Sequence, residues 1–265
     1  MPNSTPSRPT SPLPTTARLS LGNPSPNLST ADHLRFQLDH ALARDAVHTQ
    51  LDTALLLRGL HDRNLPSLLL QTNAPDRRTY LRRPDLGRTL HPTSIAALQS
   101  TTNPGVPSVD SDGRHATLSG ANITFILADG LSALALERHA LPLLDATLPL
   151  IPNPCSLIPV LTQARVAIGD HIGQLLHAQI TILFIGERPG LSSPDSLGVY
   201  LTWDPRPGRT DAQRNCISNI RGAQGLSYTE AAHRIAHYLA EAHRLHTTGI
   251  ALKDPSLPLL TTGQW

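Results

Sequence analysis

Two short, continuous runs of apolar residues constrain the fold of this chain most strongly. They span residues 123–128 and 180–185, and neither alternates between polar and apolar positions along its length. A strand that is apolar on both faces belongs inside a sheet covered on both sides, which is typical of parallel sheets. Both runs are far shorter than the roughly 20 residues that span a bilayer. They therefore predict buried strands and no membrane segment.

Segments with a helical pattern lie between these runs and further strand candidates. The helical segments are the stretch that follows residues 129–132 and runs through Leu144, and residues 169–177. The other strand candidates are residues 156–161, 197–203 and 215–220. This alternation predicts an α/β fold: a mostly parallel, Rossmann-like sheet with helices on both faces. Ligands of such sheets lie beyond the carboxyl ends of the strands. The candidate ligand loops are residues 129–132, residues 187–190 and the surroundings of Cys216.

The flanking regions predict the domain organisation. Residues 1–16 are rich in Pro, Ser and Thr and predict a flexible tail. Residues 17–105 predict a helical N-terminal region that precedes an α/β domain over residues 106–265. Its main helix is expected over residues 28–63, capped by Ser29 or Thr30.

Turn and cap residues mark two further boundaries. The Pro, Gly and Asn residues of the segment 98–120 predict a turn-rich connection. In the last helix, Ser227 and Glu230 fit a capping box, and Gly249 fits a left-handed cap at the helix end.

Charge and cysteine content weigh against two classes of function. The formal net charge is only +2 and the pI is near 8.8, with acidic residues interspersed among the basic ones. A nucleic-acid-binding domain usually concentrates its basic residues and has a pI above about 9, so we expect no nucleic acid. Cys155 and Cys216 are the two cysteines and form no Cys-x-x-Cys pair, which disfavours a zinc site. A reducing, cytoplasmic location is expected.

The segment Ile185-Gly-Glu-Arg-Pro-Gly190 places a Glu–Arg pair directly after a predicted buried strand. Glu187 could accept hydrogen bonds from a neutral polar ligand, or the pair could be a solvated surface pair in a turn. The segment lacks the Gly-Lys-Ser/Thr ending of a phosphate loop, and no Gly-x-Gly-x-x-Gly follows a strand candidate. ATP and NAD sites therefore have no support.

Three other features admit two interpretations each. We interpret Cys216 as an inert buried thiol or a ligand contact rather than a nucleophile, because no histidine is placed beside it by the sequence. The arginines of residues 80–88 favour a subunit interface over a phosphate site. His233 and His237 have zinc-compatible spacing but lack the rest of a metalloprotease motif, so they are expected to face solvent.

Several segments together resemble the small (light) subunit of ethanolamine ammonia-lyase. The resemblance runs from about residue 17 to about residue 253, and the segments occur in one order. They are Asp39-His-Ala-Leu-Ala-Arg-Asp-Ala-Val47, Tyr80-Leu-Arg-Arg-Pro-Asp-Leu-Gly-Arg88, Ala128-Asp-Gly-Leu-Ser132, Arg165-Val166, Ile185-Gly-Glu-Arg-Pro-Gly-Leu191 and Arg214-Asn-Cys-Ile-Ser-Asn-Ile220.

The resemblance implies one subunit of a hetero-oligomeric enzyme that converts ethanolamine to acetaldehyde and ammonia by a radical mechanism with adenosylcobalamin. In this family the large subunit, a TIM barrel, binds ethanolamine and carries the catalytic groups, while the small subunit helps to enclose the cobalamin. Its cofactor contacts fall on Val166, Glu187 and Cys216 in this sequence. No catalytic residue and no metal ligand is expected from this chain.

The implied contacts suit the chemistry of the cofactor. Glu187 would accept hydrogen bonds from corrin amides or from hydroxyls of the nucleotide loop, Val166 would offer backbone and apolar contact, and Cys216 would contribute packing and backbone rather than a thiolate. The chain contains no Asp-x-His-x-x-Gly motif, which fits a family that leaves the cofactor's own base on cobalt.

Two departures from the family pattern keep an alternative open. Where relatives carry Leu-Gly-Arg-Ala-Gly, this chain has Leu21-Gly-Asn-Pro-Ser25, and the connection before Ala121 is longer than usual. The alternative is a diverged, non-catalytic cobalamin-binding or scaffold protein. A free-standing nucleotide-dependent enzyme is a weaker one. The sequence leaves open whether the enzyme works inside a bacterial microcompartment.

Overall fold

The computed structural model describes residues 29–102, 123–151 and 157–252. The predicted tail, residues 21–25 and most of the connection before Ala121 lie outside these residues. The helices are α1 (Thr30–His48), α2 (Thr53–His61), α3 (Arg77–Arg82), α4 (Pro92–Thr102), α5 (Ala133–Thr147), α6 (Ile168–Leu175) and α7 (Tyr228–Leu245). The strands are β1 (Ser67–Gln71), β2 (Ile123–Ala128), β3 (Ile158–Thr162), β4 (Ile180–Gly186), β5 (Leu197–Trp203) and β6 (Arg214–Ile220).

The six strands form one sheet in the order β1-β3-β2-β4-β5-β6. The first four are parallel, as predicted, whereas β5 runs antiparallel to β4 and β6 antiparallel to β5. The sheet is therefore mixed rather than mostly parallel. The reason is the length of the connections: residues 187–196 and 204–213 contain no crossover helix, and a parallel return needs a crossover of about a dozen residues or more.

The N-terminal region departs from the predicted helical region in two ways. Its residues Ser67–Gln71 form β1, which pairs in parallel with β3 at the edge of the sheet. The single helix predicted over residues 28–63 is two helices, because the Asp52 side chain accepts a hydrogen bond from the backbone N–H of Leu55 and caps a new helix. Ser29 caps α1, as one of the two predicted alternatives. The domain division itself stays a prediction.

Both faces of the sheet are covered by helices, as predicted. On one face α2, α5 and α7 enclose the larger core, and on the other α4 and α6 enclose a smaller one. Phe125 and Phe184 meet edge to face in the larger core, with ring centroids 5.9 Å apart. Each fully buried Leu, Ile, Val or Phe contributes roughly 1.5–3 kcal/mol. Such aliphatic packing explains how a chain with only 3% aromatic residues builds these cores.

Along β6 the cover on the α6 face is incomplete. Arg214 at the start of the strand is buried beneath α6, but Cys216 and Ser218 farther along are exposed. Within the described ranges no helix packs over this part of the β5–β6 hairpin on that side. We call this surface, formed by Gly198, Tyr200, Cys216 and Ser218, the open hairpin face.

The last helix confirms one predicted cap and corrects the others. The Ser227 hydroxyl accepts from the Glu230 backbone N–H, but the Glu230 carboxylate accepts from Arg234. The helix ends at Leu245, and its left-handed cap is His246. Gly249 also has a positive φ, but it lies three residues beyond the cap. Of the two histidines expected to face solvent, His233 is exposed and His237 is half-buried. Farther along, the rings of His243 and His246 pack against Trp203.

In the described ranges no helix is long and apolar enough to cross a membrane. The same ranges contain no group of three or more metal-ligating side chains.

Candidate functional site

The carboxyl ends of β2, β3 and β4 meet at one edge of the sheet. After β2 the chain passes to α5 on one face, and after the neighbouring β3 it passes to α6 on the opposite face. This divergence is a topological switch point, where the loops leave a crevice in which α/β proteins bind ligands. The structure thus places two of the predicted ligand loops, residues 129–132 and 187–190, beside such a crevice, whereas Cys216 lies on the edge strand β6.

Asp129 lies directly below the crevice, with 1% of its surface exposed. One carboxylate oxygen accepts from the Ala164 backbone N–H at 3.2 Å, and the other lies 3.4 Å from the Arg77 guanidinium. Burial raises the pKa of Asp129 to about 6, although its backbone hydrogen bonds and Arg77 act in the opposite direction. These partners occupy Asp129, so it supports the loops rather than facing a ligand.

Arg77 ties three segments together at this edge. It donates at 2.7 Å to the carbonyl of Val47 at the end of α1 and at 2.7 Å to the carbonyl of Gly130 after β2. The Tyr80 hydroxyl, one helical turn later, donates to the carbonyl of Ala164 after β3. Sequence reasoning missed Arg77, and no signal could have identified it, because its partners are 30 or more residues away.

Glu187, the first residue after β4, is held by three hydrogen bonds. The Ser196 and Ser218 hydroxyls donate to separate carboxylate oxygens at 2.5 Å each, and the Asn219 backbone N–H donates at 3.3 Å. Glu187 therefore does not form the solvated Glu–Arg surface pair considered as the alternative. Ser196 directly precedes β5, and Ser218 and Asn219 lie on β6, so the orientation of Glu187 depends on the hairpin.

Gly198 provides the space in which the Glu187 carboxylate lies. A Cβ atom at this position would come within 2.8 Å of the Glu187 Oε1 and 3.1 Å of its Cγ. Only glycine leaves room at this position of β5 for the Glu187 carboxylate as it is placed. Glu187 consequently lies over β5, on the open hairpin face.

The loop that carries Ser196 is anchored by a buried charge network. The Asp195 carboxylate accepts from Arg138 on α5 at 2.7 Å and from Arg221 after β6 at 2.8 Å. Burial alone would raise the pKa of Asp195, but the hydrogen bonds from the two arginines hold it below its usual value. The network fixes the start of β5, and with it the Ser196 hydroxyl that orients Glu187.

Cys216 faces the same side of the hairpin as Glu187. It is exposed, so its interpretation as a buried thiol is wrong. It lies opposite Tyr200 in the register of β5 and β6 and shares a hydrogen bond with it. Desolvation by these neighbours raises the pKa of the thiol to about 11, and the Glu187 charge adds to the increase. A thiol with this pKa stays protonated near neutral pH and is a poor nucleophile.

Val166 lies in the loop between β3 and α6 and is half-buried. It packs against the smaller core, as does Tyr200 of the open hairpin face. Glu187 and Cys216 are joined more directly, since Ser218, two residues after Cys216, donates to Glu187. All three predicted contact residues thus lie on the α6 side of the sheet or at its carboxyl edge. Their role as cofactor contacts stays a prediction.

A buried ion pair marks the border between the covered and the open part of this face. Both nitrogens of the Arg214 guanidinium fork bond the Asp170 carboxylate of α6, at 2.5 and 2.7 Å. Each side chain is 2% exposed. The pair attaches the start of β6 to α6, and the strand continues beyond the helix with its polar side uncovered.

A second feature is a cavity of about 520 Å³ over the switch point, between α1 and the loops after β2, β3 and β4. Two of its lining residues are sequence neighbours of predicted contacts: Arg165 precedes Val166, and Arg188 follows Glu187. Sequence reasoning assigned no role to these arginines, although both occur in the segments that carry the family resemblance.

Comparisons with known proteins agree with the resemblance seen in the sequence. The family model described as ethanolamine ammonia-lyase light chain matches residues 12–253. A small subunit of ethanolamine ammonia-lyase from Azotobacter vinelandii is 50% identical over 243 residues, covering 91% of this chain and 85% of the relative.

Two further relatives bear the same printed name. The protein of Xanthomonas campestris pv. campestris (strain B100) is 51% identical over 252 residues, covering 94% of this chain and 88% of its own. The protein of Pseudomonas putida is 47% identical over 245 residues, covering 91% and 85%. The agreement with these relatives extends over nearly the whole chain.

Proposed function

The chain belongs to the ethanolamine ammonia-lyase light-chain family, and from this premise we propose that, as the small subunit of that lyase, it encloses adenosylcobalamin against the catalytic large subunit. The observation that carries the proposal is the arrangement of Glu187. Its carboxylate is fixed above a glycine by hydrogen bonds from the residue before β5 and from β6, on a sheet face that no described helix covers.

The residues of the open hairpin face fit the periphery of a corrin. That periphery carries neutral amides, which need hydrogen-bond acceptors and flat contact surface rather than opposite charge. An ionised carboxylate has about four acceptor positions, and protein donors use three of those on Glu187. One position is left for an amide N–H of the cofactor. A bond of this charge-assisted type contributes roughly 1.5–3 kcal/mol.

Val166 and Cys216 complete the proposed contact. Val166 presents a half-buried aliphatic side chain beside the edge of the sheet, and Cys216 presents a protonated thiol beside Tyr200. Neither residue offers a metal ligand or a base. When bound, adenosylcobalamin would supply the radical chemistry of its cobalt–carbon bond. This chain binds and orients it and excludes water from one side, while the groups that act on ethanolamine belong to the large subunit.

An exposed apolar stripe on α1 supports the proposed partner. Leu34, Leu38 and Leu42 are 58%, 59% and 50% exposed, and Ala46 is the one fully buried residue of that helix. Contiguous exposed apolar surface usually marks an interaction site. We assign this stripe to contact with the large subunit. The cytoplasmic location expected from the sequence is part of the proposal.

The test is ammonia release from ethanolamine by this chain co-expressed with its cognate large subunit, with and without adenosylcobalamin. Activity that needs both chains and the cofactor is the expected result. Binding of adenosylcobalamin by the two-chain complex without turnover would instead favour the diverged, non-catalytic cobalamin-binding protein. Failure of the two chains to co-purify would overturn the proposal.

A further inference from the structure

The cavity over the switch point is positively charged and has no acidic lining residue. Its walls come from α1, α3 and the loops after β2, β3 and β4. The lining residues are His40, Ala43, Arg44, Val47, His48, Leu81, Leu131, Arg165, Arg188, Pro189, Gly190 and Leu191. Three arginines thus face one volume of about 520 Å³, with two histidines beside them.

Two of these arginines have unused donors. Arg188 makes no hydrogen bond or ion pair with any residue in the described part of the chain. Arg165 has no acidic partner there either, and its Nε is buried without a hydrogen-bond partner. Arg44 is 67% exposed and lies 3.6 Å from Asp45, which is also on the surface. Arg165 is half-buried, and a partly desolvated guanidinium without an anion is energetically unfavourable, so this site favours an anionic ligand.

The Arg165 side chain is fixed by Tyr80 and not by a carboxylate. Its guanidinium lies over the Tyr80 ring, 4.2 Å from the ring centroid, and one nitrogen donates to the Tyr80 carbonyl at 3.4 Å. Tyr80 is in turn fully buried, with its hydroxyl bonded to Ala164. A guanidinium fixed by stacking keeps its planar donor fork available for a bidentate acceptor such as phosphate.

We propose that this cavity is a phosphate-binding site in which Arg44, Arg165 and Arg188 hold the anion. The source of the phosphate group is the phosphodiester in the nucleotide loop of cobalamin. This choice of source rests on the proposed function. Arg165 and Arg188 directly adjoin Val166 and Glu187 in the chain, so one cofactor can contact both surfaces. A free inorganic phosphate ion is the other source with the same chemistry.

The test uses the complex of this chain with its large subunit and measures dissociation constants by equilibrium dialysis. Three probes are compared: adenosylcobalamin, adenosylcobinamide phosphate and adenosylcobinamide, which lacks the phosphate. The variant is Arg188→Gln, because this side chain is exposed and supports no other group. The matched control is Arg206→Gln. Arg206 lies on the β5–β6 turn at the opposite edge of the sheet, and among the described residues its side chain pairs only with Asp204.

We expect Arg188→Gln to weaken both phosphate-containing probes about tenfold, as expected for loss of one charge-assisted hydrogen bond, and to leave adenosylcobinamide unchanged. Arg206→Gln should affect none of the three. Equal weakening of all three probes by Arg188→Gln would overturn the phosphodiester as the source.

A calorimetric titration of the same complexes with inorganic phosphate decides the remaining cases. If the parent complex binds phosphate and Arg188→Gln abolishes this binding, while the three corrinoid probes are not affected selectively, the site is supported with free phosphate as its source. If the parent complex binds no phosphate and Arg188→Gln does not selectively weaken the phosphate-containing corrinoids, the proposed phosphate site is overturned. A parent complex that binds none of the corrinoids contradicts the proposed function instead, and the phosphate titration still decides the cavity.

Discussion

The inner parallel strands β2 and β4 and the antiparallel hairpin of the same sheet differ in how they are covered. Every position of β2 and β4 is buried, because helices lie on both faces of these strands. On β6 three of the seven positions are exposed, because beyond Arg214 one face has no helix over it. The hairpin thus leaves polar groups accessible, whereas the parallel part supplies a rigid support. Glu187 lies where the two parts meet.

The Arg214–Asp170 ion pair attaches the hairpin to the covered part, and breaking it should have the largest effect. Arg214→Met leaves the Asp170 carboxylate buried without its partner, which typically costs about 3–5 kcal/mol. The free energy of unfolding is to be measured by urea denaturation of the assembled enzyme. Arg206→Met, which breaks an exposed pair, should cost under about 1 kcal/mol. A similar small loss for both variants would contradict a structural role for the buried pair.

Removing the Glu187 carboxylate tests whether the open hairpin face binds the cofactor. Glu187→Ala should weaken adenosylcobalamin binding to the two-chain complex by roughly 10- to 100-fold, because one charge-assisted hydrogen bond of about 1.5–3 kcal/mol is lost. The unfolding free energy should change little, since the residue is only half-buried. Equal cofactor affinity in the variant and the parent would rule out this contact.

Gly198→Ala sharpens the same comparison without touching the carboxylate itself. The added methyl group occupies the space of the Glu187 side chain and should displace it, weakening cofactor binding by up to about tenfold. The double variant with Glu187→Ala is the control: Gly198→Ala should add almost nothing in that background, because the two changes act on one interaction. Additive losses would mean that Gly198 acts independently of Glu187.

The smallest expected effect concerns the reactivity of Cys216. With the pKa raised to about 11, the reactive thiolate is scarce near neutral pH and increases as the pH rises towards that value. Alkylation by iodoacetamide, followed by mass spectrometry from pH 7 to 10, should therefore still be accelerating at pH 10. Glu187→Gln removes a negative charge that raises this pKa and should speed alkylation at pH 9. An alkylation rate that levels off by pH 9 would indicate that the pKa of the Cys216 thiol is not raised.

The strands were largely predictable, and their arrangement was not. The predicted runs 123–128 and 197–203 agree with β2 and β5, and the run 180–185 agrees with β4 to within one residue. Burial on both faces requires a continuous apolar run, and this requirement is local. The edge strand β1 was missed because its Ser67-Leu-Leu-Leu-Gln71 segment lies within a leucine-rich region that also fits helices.

The candidate site was predictable only in part. Glu187 and Cys216 were identifiable because they end or lie within predicted strands and occur in segments shared with a known family. Ser196, Ser218 and Gly198, which orient Glu187, carried no signal. The same holds for Arg77 and Asp195, whose partners are 26 or more residues away in the chain. Their roles arise only when β4, β5 and β6 are placed side by side.

The sequence by itself determined most of the strands and helices, the apolar runs that form the cores and the family to which the chain belongs. These properties depend on local apolar patterns, helix caps and residue order, all of which are visible along the chain. Only the tertiary structure decided the direction of the hairpin, the uncovered face of β6, the acceptor left free on Glu187 and the convergence of three arginines over the switch point. Each of these depends on contacts between distant residues, and their geometry is defined only when the strands have paired.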